Sequence, residues 1–256
     1  MTACLLALDT STERLAAALV WPGAAGQAGR RPVCLNEAGG ALASSRLIPA
    51  LMGLLAGQGL TLRQVNAIAF GQGPGAFTGL RTACAVAQGL ALAHETPLLP
   101  IDSLMIVAED ARCRAGAIAP ADGQADWWVA MDARMDEVYA AAYRHGPAGW
   151  TVRVAPQLWT LPALAAAWAD APPARVAGSA IEAFADRLPW GAAHCVPHCA
   201  DRAAALARLA DTAWQQGRGI APDLALPLYL RDKVALTTAE RALRQPTTPA
   251  SAAVAP

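Results

Sequence analysis

The chain has almost no lysine and few charged residues of either sign. Lys233 is the one lysine among 20 basic residues, 20 acidic residues balance them, and charged residues make up 16% of the 256. A balanced chain creates no general attraction for nucleic acid or for an anionic membrane. Direct binding of RNA would need a local basic patch, and the sequence contains no basic run. The scarcity of lysine, beside abundant Ala, Gly and Pro, is typical of a base-composition bias.

Signals for export, for membrane insertion and for a disulfide framework are also missing. The N-terminal stretch "MTACLLALD" has no basic region and reaches Asp9 too early for the apolar part of a signal peptide. The longest uncharged stretches carry too much Ala, Gly and Pro for membrane spans. Six cysteines are scattered along the chain, as is typical of reduced thiols. We therefore predict a soluble cytoplasmic protein that contacts no membrane.

Apolar residues are abundant, at 55%, and their pattern predicts an α/β fold. The runs "CLLALD", "LAAALVW" and "RPVCLNEA" predict an antiparallel meander at the N-terminus. After it we expect a helix over 41–55, a strand at "VNAIAF", a helix over 77–94, a strand at "PLLPI" and a helix over 103–114. Ser103 is the predicted N-cap of the last of these helices.

The loop-like segment "AGAIAPADGQAD" separates this part from a second set of elements. There the sequence predicts a hairpin of "WWVAM" and "EVYAAAYR", then a strand "TVRVAPQLWT" and a helix "LPALAAAWAD" with proline in its first turn. A strand "ARVAG", a helix "SAIEAFADRL" and a helix over 201–216 follow. We predict lobes at 1–104 and 105–232, and a disordered tail at 233–256 that is rich in Ala, Thr and Pro.

A glycine-rich loop, which contains Gly73 and Gly75, lies between a predicted strand and a predicted helix in "FGQGPGAFTGLRTACAVAQGLALA". Backbone N–H groups in such a loop can cradle an anion. The dinucleotide-binding pattern G-x-G-x-x-G has Ala76 at its last position here, and no acidic partner is evident on a following strand. A P-loop would need Lys before Ser or Thr, and this loop has none. A nucleotide site and a simple tight turn therefore both stay open.

The first turn, "DTST", resembles the opening hairpin of the actin, sugar-kinase and Hsp70 superfamily, where an aspartate handles metal and phosphate. A carboxylate suits Mg²⁺, and hydroxyls and turn amides suit phosphate oxygens. The alternative is a polar turn that satisfies its own backbone. The candidate nucleotide-binding residues are Asp9, Thr10, Ser11, Gly73 and Gly75.

Two further clusters of reactive side chains have simpler interpretations. "HCVPHC", from His194 to Cys199, places four ligands too close together to surround one tetrahedral ion, and no second pair exists elsewhere. We interpret it as coil before the last helix. Asp132, Asp136 and Glu137 could do acid–base work, but a hairpin turn with alternating charges accounts for them. We predict no metal-binding and no catalytic residues.

Three segments, "LLALDTSTERLAAAL", the glycine-rich stretch above and "AMDARMDEVYAAAY", resemble the TsaB family in order and spacing. The resemblance implies an ASKHA (actin-like, RNase H-like) fold of two lobes, each with a mixed sheet and helices. It also implies an accessory subunit for threonylcarbamoyladenosine modification of tRNA. The catalytic subunit TsaD and the ATPase TsaE would be its partners, and tRNA would be contacted only through the complex. The alternative is an independent enzyme of the superfamily, a small-molecule kinase or an O-sialoglycoprotease-like hydrolase.

The resemblance implies a missing activity as well. TsaD-type proteins carry an H-x-x-x-H metal motif on a helix of the first lobe, and the matching helix here, "ALASSRLIPALMGLL", contains no histidine. We therefore expect no transferase activity and no intrinsic cofactor in this chain. ATP or ADP with Mg²⁺ would bind at the interface of the complex.

The two N-terminal helices are predicted to dock a partner. Twelve uncharged residues run from Thr82 to Ala93, and both helices are apolar around most of their circumference. A wholly internal helix would give the same pattern. The expected occupant is TsaD, or a second copy of this chain in a homodimer when TsaD is absent. The predicted contact residues are Leu47, Leu51, Met52, Leu55, Leu80, Ala83, Cys84, Ala87, Leu90 and Ala91.

Deleting the tail from Thr237 to Pro256 should leave the melting temperature nearly unchanged, because the tail has little apolar surface to offset its ordering entropy. Differential scanning calorimetry of the full and shortened chains measures this. A drop of more than about 4 °C would mean that the tail packs on the folded protein.

Overall fold

We analysed a computed structural model that describes residues 3–23, 30–115 and 126–231, without the side chain of Ala41. The predicted disordered tail and most of the predicted loop between the lobes lie outside the described residues. Among the residues that are described, no helix is both long enough and apolar enough to cross a membrane.

The first sheet is built from the N-terminal part of the chain. Its order is β3-β2-β1-β4-β5, with β1 antiparallel to β2 and parallel to β4. The predicted meander of the first three strands is confirmed. Every residue of β1 is buried, because the strand has a neighbour on each edge and a helix layer on each face. The strands are β1 Leu5–Asp9, β2 Arg14–Trp21, β3 Arg30–Ala38, β4 Ala67–Gly73 and β5 Leu98–Asp102.

Helices cover both faces of this sheet. Two of them, α1 (Ala43–Gly57) and α2 (Phe77–Leu92), pack on the face formed by Leu6, Leu8 and Leu19. The other face meets α3 (Ser103–Ala115) and the last helix, α6 (Arg202–Gln215), through an interior rich in alanine. Small side chains let α6 approach the sheet closely.

The second sheet has the order β10-β9-β6-β7-β8. The predicted hairpin of β6 and β7 is confirmed, as is the strand that follows it. Thr160 caps the next helix with its side chain, and Pro162 occupies the first turn as predicted. The elements are β6 Trp127–Asp132, β7 Glu137–Gly146, β8 Gly149–Thr160, α4 Leu161–Asp170, β9 Arg175–Ala177, α5 Ala180–Ala183 and β10 His194–Val196.

Helix α3 joins the two sheets into one stack of layers. Ile106 faces the first sheet, whereas Leu104, Val107 and Ala111 face the second. The predicted α/β fold with two mixed sheets is confirmed. The division at residues 104 and 105 stays a prediction. The structure adds that α6, from the later part of the chain, packs on the first sheet.

Three local predictions were wrong. The predicted helix "SAIEAFADRL" is a single turn, α5. The segment predicted as coil at residue 194 pairs with β9 as strand β10, since backbone hydrogen bonding to a distant strand decides its conformation. The cap of α3 is Asp102, whose Oδ1 accepts from the N–H of Leu104 at 2.9 Å, because the Ser103 side chain is engaged elsewhere.

A buried carboxylate, Glu109 on α3, holds the layers together. Its side chain accepts hydrogen bonds from Arg112, from Trp150 Nε1 at 2.9 Å and from Arg208 Nε at 2.6 Å. These donors come from α3, β8 and α6. Burial alone would raise the pKa of Glu109, but the three hydrogen bonds and the charge of Arg112 outweigh it and lower the pKa to about 2.

Glu109→Gln should lower the free energy of unfolding at pH 7 by about 2 kcal/mol. The pKa shift alone would correspond to a larger loss, but water partly screens the charges of the two half-exposed arginines. The folded-state pKa is below the usual 4.5, so this stabilisation is present above about pH 4.5 and is lost as the pH falls towards 2. Urea unfolding between pH 3 and 7 measures it. The control is Glu182→Gln, which removes an exposed carboxylate. Equal losses in both variants would contradict the account.

Candidate functional site in the cleft between the sheets

A cleft of about 730 Å³ lies between the two sheets. The β1–β2 turn, the glycine-rich loop and the start of α2 line one wall. The opposite wall is formed by the β6–β7 turn, by Gly178 and Ser179, and by residues 197–199. Arg202, at the first position of α6, lies at the base. The cleft thus brings together the "DTST" turn and the glycine-rich loop.

Asp9 is completely buried at the base of the cleft and pairs with Arg202. Arg202 Nε donates to Asp9 Oδ2 at 2.5 Å. The Nη2 group of the same guanidinium donates to Ser11 Oγ at 2.7 Å and to the Ser103 carbonyl at 3.2 Å. The negative charge expected of the first turn is therefore neutralised inside the protein.

Two serine hydroxyls complete this network. Ser11 Oγ donates to Asp9 Oδ2 at 3.1 Å, and Ser103 Oγ donates to Asp9 Oδ1 at 3.4 Å. Ser103 Oγ also accepts the N–H of Gly73 at 3.1 Å, which ties the glycine-rich loop to the start of α3. Local sequence patterns did not indicate Arg202 as part of this site, because it lies 193 residues after Asp9.

The glycines of the loop allow it to lie directly against the first turn. A Cβ atom on Gly71 would come within 1.7 Å of Asp9 Oδ1, and one on Gly79 within 1.8 Å of the Thr10 carbonyl. The side chain of Thr10 also contacts Gly79, since Thr10 Oγ1 donates to the Gly79 carbonyl at 2.7 Å. Close packing alone accounts for these glycines, as the tight-turn interpretation of the loop requires.

The segment after α6, residues 220–231, contains one 3-10 turn, Pro222–Leu224, and its last four residues line the cleft; we call this segment the strap. The N–H of Leu228 donates to the Gln72 carbonyl at 2.7 Å. Tyr229 stacks on Phe77 with ring centroids 5.1 Å apart and accepts a hydrogen bond from Arg81. These contacts fix the strap to the wall on the side of the first sheet.

The far end of the strap is fixed to the opposite wall by Arg231. Its Nη1 pairs with Glu137 Oε2 at 2.5 Å, and its Nη2 donates to the Ala133 carbonyl at 3.0 Å. Asp136 pairs separately with Arg187 at 2.7 Å. The carboxylates of the β6–β7 turn are thus individually paired with arginines, and the hairpin-turn interpretation is confirmed.

Asp102 and Tyr143 form a second link between the sheets, where the Tyr143 hydroxyl donates to Asp102 Oδ2 at 2.5 Å. Burial raises the pKa of Asp102 to about 6, although hydrogen bonds from Tyr143 and from two backbone N–H groups act in the opposite direction. Burial and the neighbouring carboxylate also raise the pKa of Tyr143. Sequence patterns did not indicate this pair.

The "HCVPHC" cluster is spread over different environments. His198 pairs with Glu182 at 3.0 Å, and burial raises the pKa of the Cys199 thiol to about 12, so that the thiol is a poor nucleophile. Within residues 3–23, 30–115 and 126–231, no three His, Cys, Asp or Glu side chains are placed to hold a metal ion together.

The predicted partner-contact residues lie mostly in the core, which corrects their assignment to a surface. Met52 and Leu90 are half-buried and pack against the same core. The helices turn these side chains towards the first sheet, and the sequence alone could not tell that face from a docking face. The eight buried members of the set are Leu47, Leu51, Leu55, Leu80, Ala83, Cys84, Ala87 and Ala91.

Ala87→Arg should destabilise the protein by at least about 3 kcal/mol, because it places a charged side chain in a packed interior. Ala166→Arg, on the exposed side of α4, should change the free energy of unfolding by less than about 0.5 kcal/mol. Urea denaturation of both variants tests the placement. A stable, folded Ala87→Arg variant would show that α2 is turned differently.

Comparisons with known proteins agree with this fold. Residues 41–185, more than half of the chain, match the family model described as TsaD: tRNA N6-adenosine threonylcarbamoyltransferase. A structure of YeaZ from Pseudomonas aeruginosa is 35% identical with a TM-score of 0.75, over 89% of this chain and all of that one. Another, of an uncharacterised P. aeruginosa protein with similarity to peptidase YeaZ, is 36% identical with a TM-score of 0.75, over 90% of this chain and all of that one.

Two curated relatives carry the name tRNA threonylcarbamoyladenosine biosynthesis protein TsaB. The one from Haemophilus influenzae is 40% identical over 135 residues, which are 53% of this chain and 51% of that protein. The one from Escherichia coli is 37% identical over 145 residues, 57% of each. The matched region therefore spans about half the length of these relatives. By its matches to the family model and to these proteins, the chain belongs to the TsaD family of that model and, within it, to the TsaB proteins.

Proposed function

We propose that this chain is a non-catalytic, accessory subunit needed for threonylcarbamoyladenosine modification of tRNA. It binds and activates the catalytic subunit TsaD, together with the ATPase TsaE. The observation that carries the proposal is the match to relatives named for this biosynthesis. The match covers about half of the length of these relatives, and the partners and the activity of this chain are therefore part of the proposal.

The side chains that a catalyst in this cleft would need are engaged in structural contacts. Asp9 pairs with Arg202, and Glu137 with Arg231. His145 and His194 pack edge-on against Trp150 and Trp127. Helix α1 contains no histidine for a TsaD-type metal motif. These features favour an accessory subunit over a kinase or a peptidase-like hydrolase.

The exposed side of α1 and α2 supplies a surface for a partner. Ile48 is 45% exposed and Leu92 is 73% exposed, so apolar area faces outward on both helices. Gly53 and Gly89 lie on the same exposed sides, with no atom within 4 Å of a Cβ added to either. Small residues let another helix approach closely. We propose that TsaD docks here, and that a second copy of this chain does so when TsaD is absent.

The proposed roles of tRNA, nucleotide and TsaE rest on the balanced charge of the chain and on the paired side chains of the cleft. With 20 basic and 20 acidic residues, the chain contacts tRNA only through the complex. The chain has no intrinsic cofactor. ATP or ADP with Mg²⁺ binds at the interface of the complex, and TsaE joins that assembly.

Depleting this protein in its host should remove threonylcarbamoyladenosine from tRNA. Nucleoside analysis by mass spectrometry measures it, and expression of the intact chain should restore the nucleoside. Normal tRNA in depleted cells would contradict the modification role. The protein would then have a binding role that is independent of tRNA modification, such as acting as a chaperone for TsaD.

Ala85→Arg and Gly89→Arg should each weaken TsaD binding and homodimer formation at least tenfold while the chain stays folded, because both place a long charged side chain on the proposed surface. The matched control is Ala166→Arg, at an exposed alanine of α4 on the other side of the molecule. Calorimetric titration with TsaD and sedimentation equilibrium provide the measurements. Unchanged binding in both test variants would place the interface elsewhere.

A further inference from the structure

The superfamily resemblance implies Mg²⁺ and phosphate at the turn that contains Asp9, and the residues present do not fit them. We propose that Arg202 is a built-in cation that takes the place of a divalent metal beside Asp9, so that this carboxylate is neutralised without a metal ion. The inference goes beyond the proposed role in tRNA modification and does not depend on it.

The oxygen atoms around Arg202 form a set that a hard metal ion would prefer. They are the carboxylate of Asp9, the hydroxyls of Ser11 and Ser103, and the Ser103 carbonyl. Mg²⁺ and Ca²⁺ both select oxygen ligands of this kind. Here the guanidinium contacts Asp9, Ser11 and the Ser103 carbonyl through Nε and Nη2, at 2.5, 2.7 and 3.2 Å. The Arg202 guanidinium therefore contacts oxygen atoms that a metal ion at this place would use as ligands.

The cation and its partners are almost completely buried. Asp9, Ser11, Ser103 and Arg202 are each at most 3% exposed. Gly71 closes the remaining side of the carboxylate, because even a single added carbon there would lie 1.7 Å from Asp9 Oδ1. Mg²⁺ usually keeps several of its water molecules. A hydrated ion could enter only if Arg202 left, and Arg202 begins the helix that packs on the first sheet.

Two backbone N–H groups of the glycine-rich loop are engaged as well. The Gly73 N–H donates to Ser103 Oγ at 3.1 Å, and the Ala76 N–H donates to the Ser11 carbonyl at 2.8 Å. An arriving phosphate would therefore find these two amides already paired. The same contacts hold the loop against the first turn and the start of α3.

Wild-type protein titrated with Mg²⁺, or with ADP and Mg²⁺, should keep its melting temperature within about 1 °C and show no binding heat. A ligand that binds the folded state raises the melting temperature, because it stabilises that state by RT ln(1 + [L]/Kd). A rise of more than about 3 °C that Asp9→Asn abolishes would overturn the proposal.

Arg202→Ala should create the vacant cation site that the wild type lacks. The variant should melt lower than the wild type and recover at least about 3 °C with 10 mM methylguanidinium or 10 mM Mg²⁺. The matched control is Arg208→Ala on the same helix. Arg208 also pairs with a carboxylate, but its side chain is 41% exposed and leaves no enclosed site, so neither cation should stabilise that variant.

The two variants separate specific occupation from general salt effects. Equal responses of Arg202→Ala and Arg208→Ala to either cation would overturn the proposal. So would an Arg202→Ala variant that stays unfolded, or unchanged in melting temperature, in the presence of both cations.

Discussion

The buried ion pair between Asp9 and Arg202 is the constraint on which the rest of the cleft depends. A carboxylate and a guanidinium taken out of water cost several kcal/mol each, and only a close pair with additional hydrogen bonds offsets that cost. The pair has those bonds, from Ser11 and to the Ser103 carbonyl. It can form only if the end of β1 meets the beginning of α6. The fold of the first sheet and the position of the last helix are thus determined together.

The strap and the Asp102–Tyr143 pair extend this constraint to the second sheet. Arg231 holds the β6–β7 turn, Leu228 holds the glycine-rich loop, and Tyr143 holds the end of β5. Both walls of the cleft are therefore fixed by contacts within the chain. A cleft held in this way agrees with the proposal that a partner meets the surface of the chain and not its cleft.

Local sequence patterns predicted well those elements whose conformation is decided by residues close to them in the sequence. Alternating runs gave the meander and the β6–β7 hairpin, and Thr160 with Pro162 marked the start of α4. The conformation at residue 194 depends on pairing with β9, and that pairing is not visible in a local window. Arg202 was missed for the same reason, since its partner lies at the other end of the chain.

The predicted docking residues show a different limit. Periodicity shows that α2 is apolar around its circumference, but not which side meets the sheet. Ala87 and Ala85 look alike in sequence, and only the packed structure separates a buried alanine from an exposed one. The same holds for the glycines of the loop, which suit a phosphate or a neighbouring backbone equally well until Asp9 is placed beside Gly71.

A double-mutant cycle on the buried pair tests the central claim most directly. Unfolding free energies would be measured for the wild type, Asp9→Leu, Arg202→Met and the double variant. The account predicts that each single change costs about 3–5 kcal/mol, because it leaves an unpaired buried charge, and that the double variant loses much less than the sum. Additive losses in the double variant would contradict the claim that this pair organises the cleft.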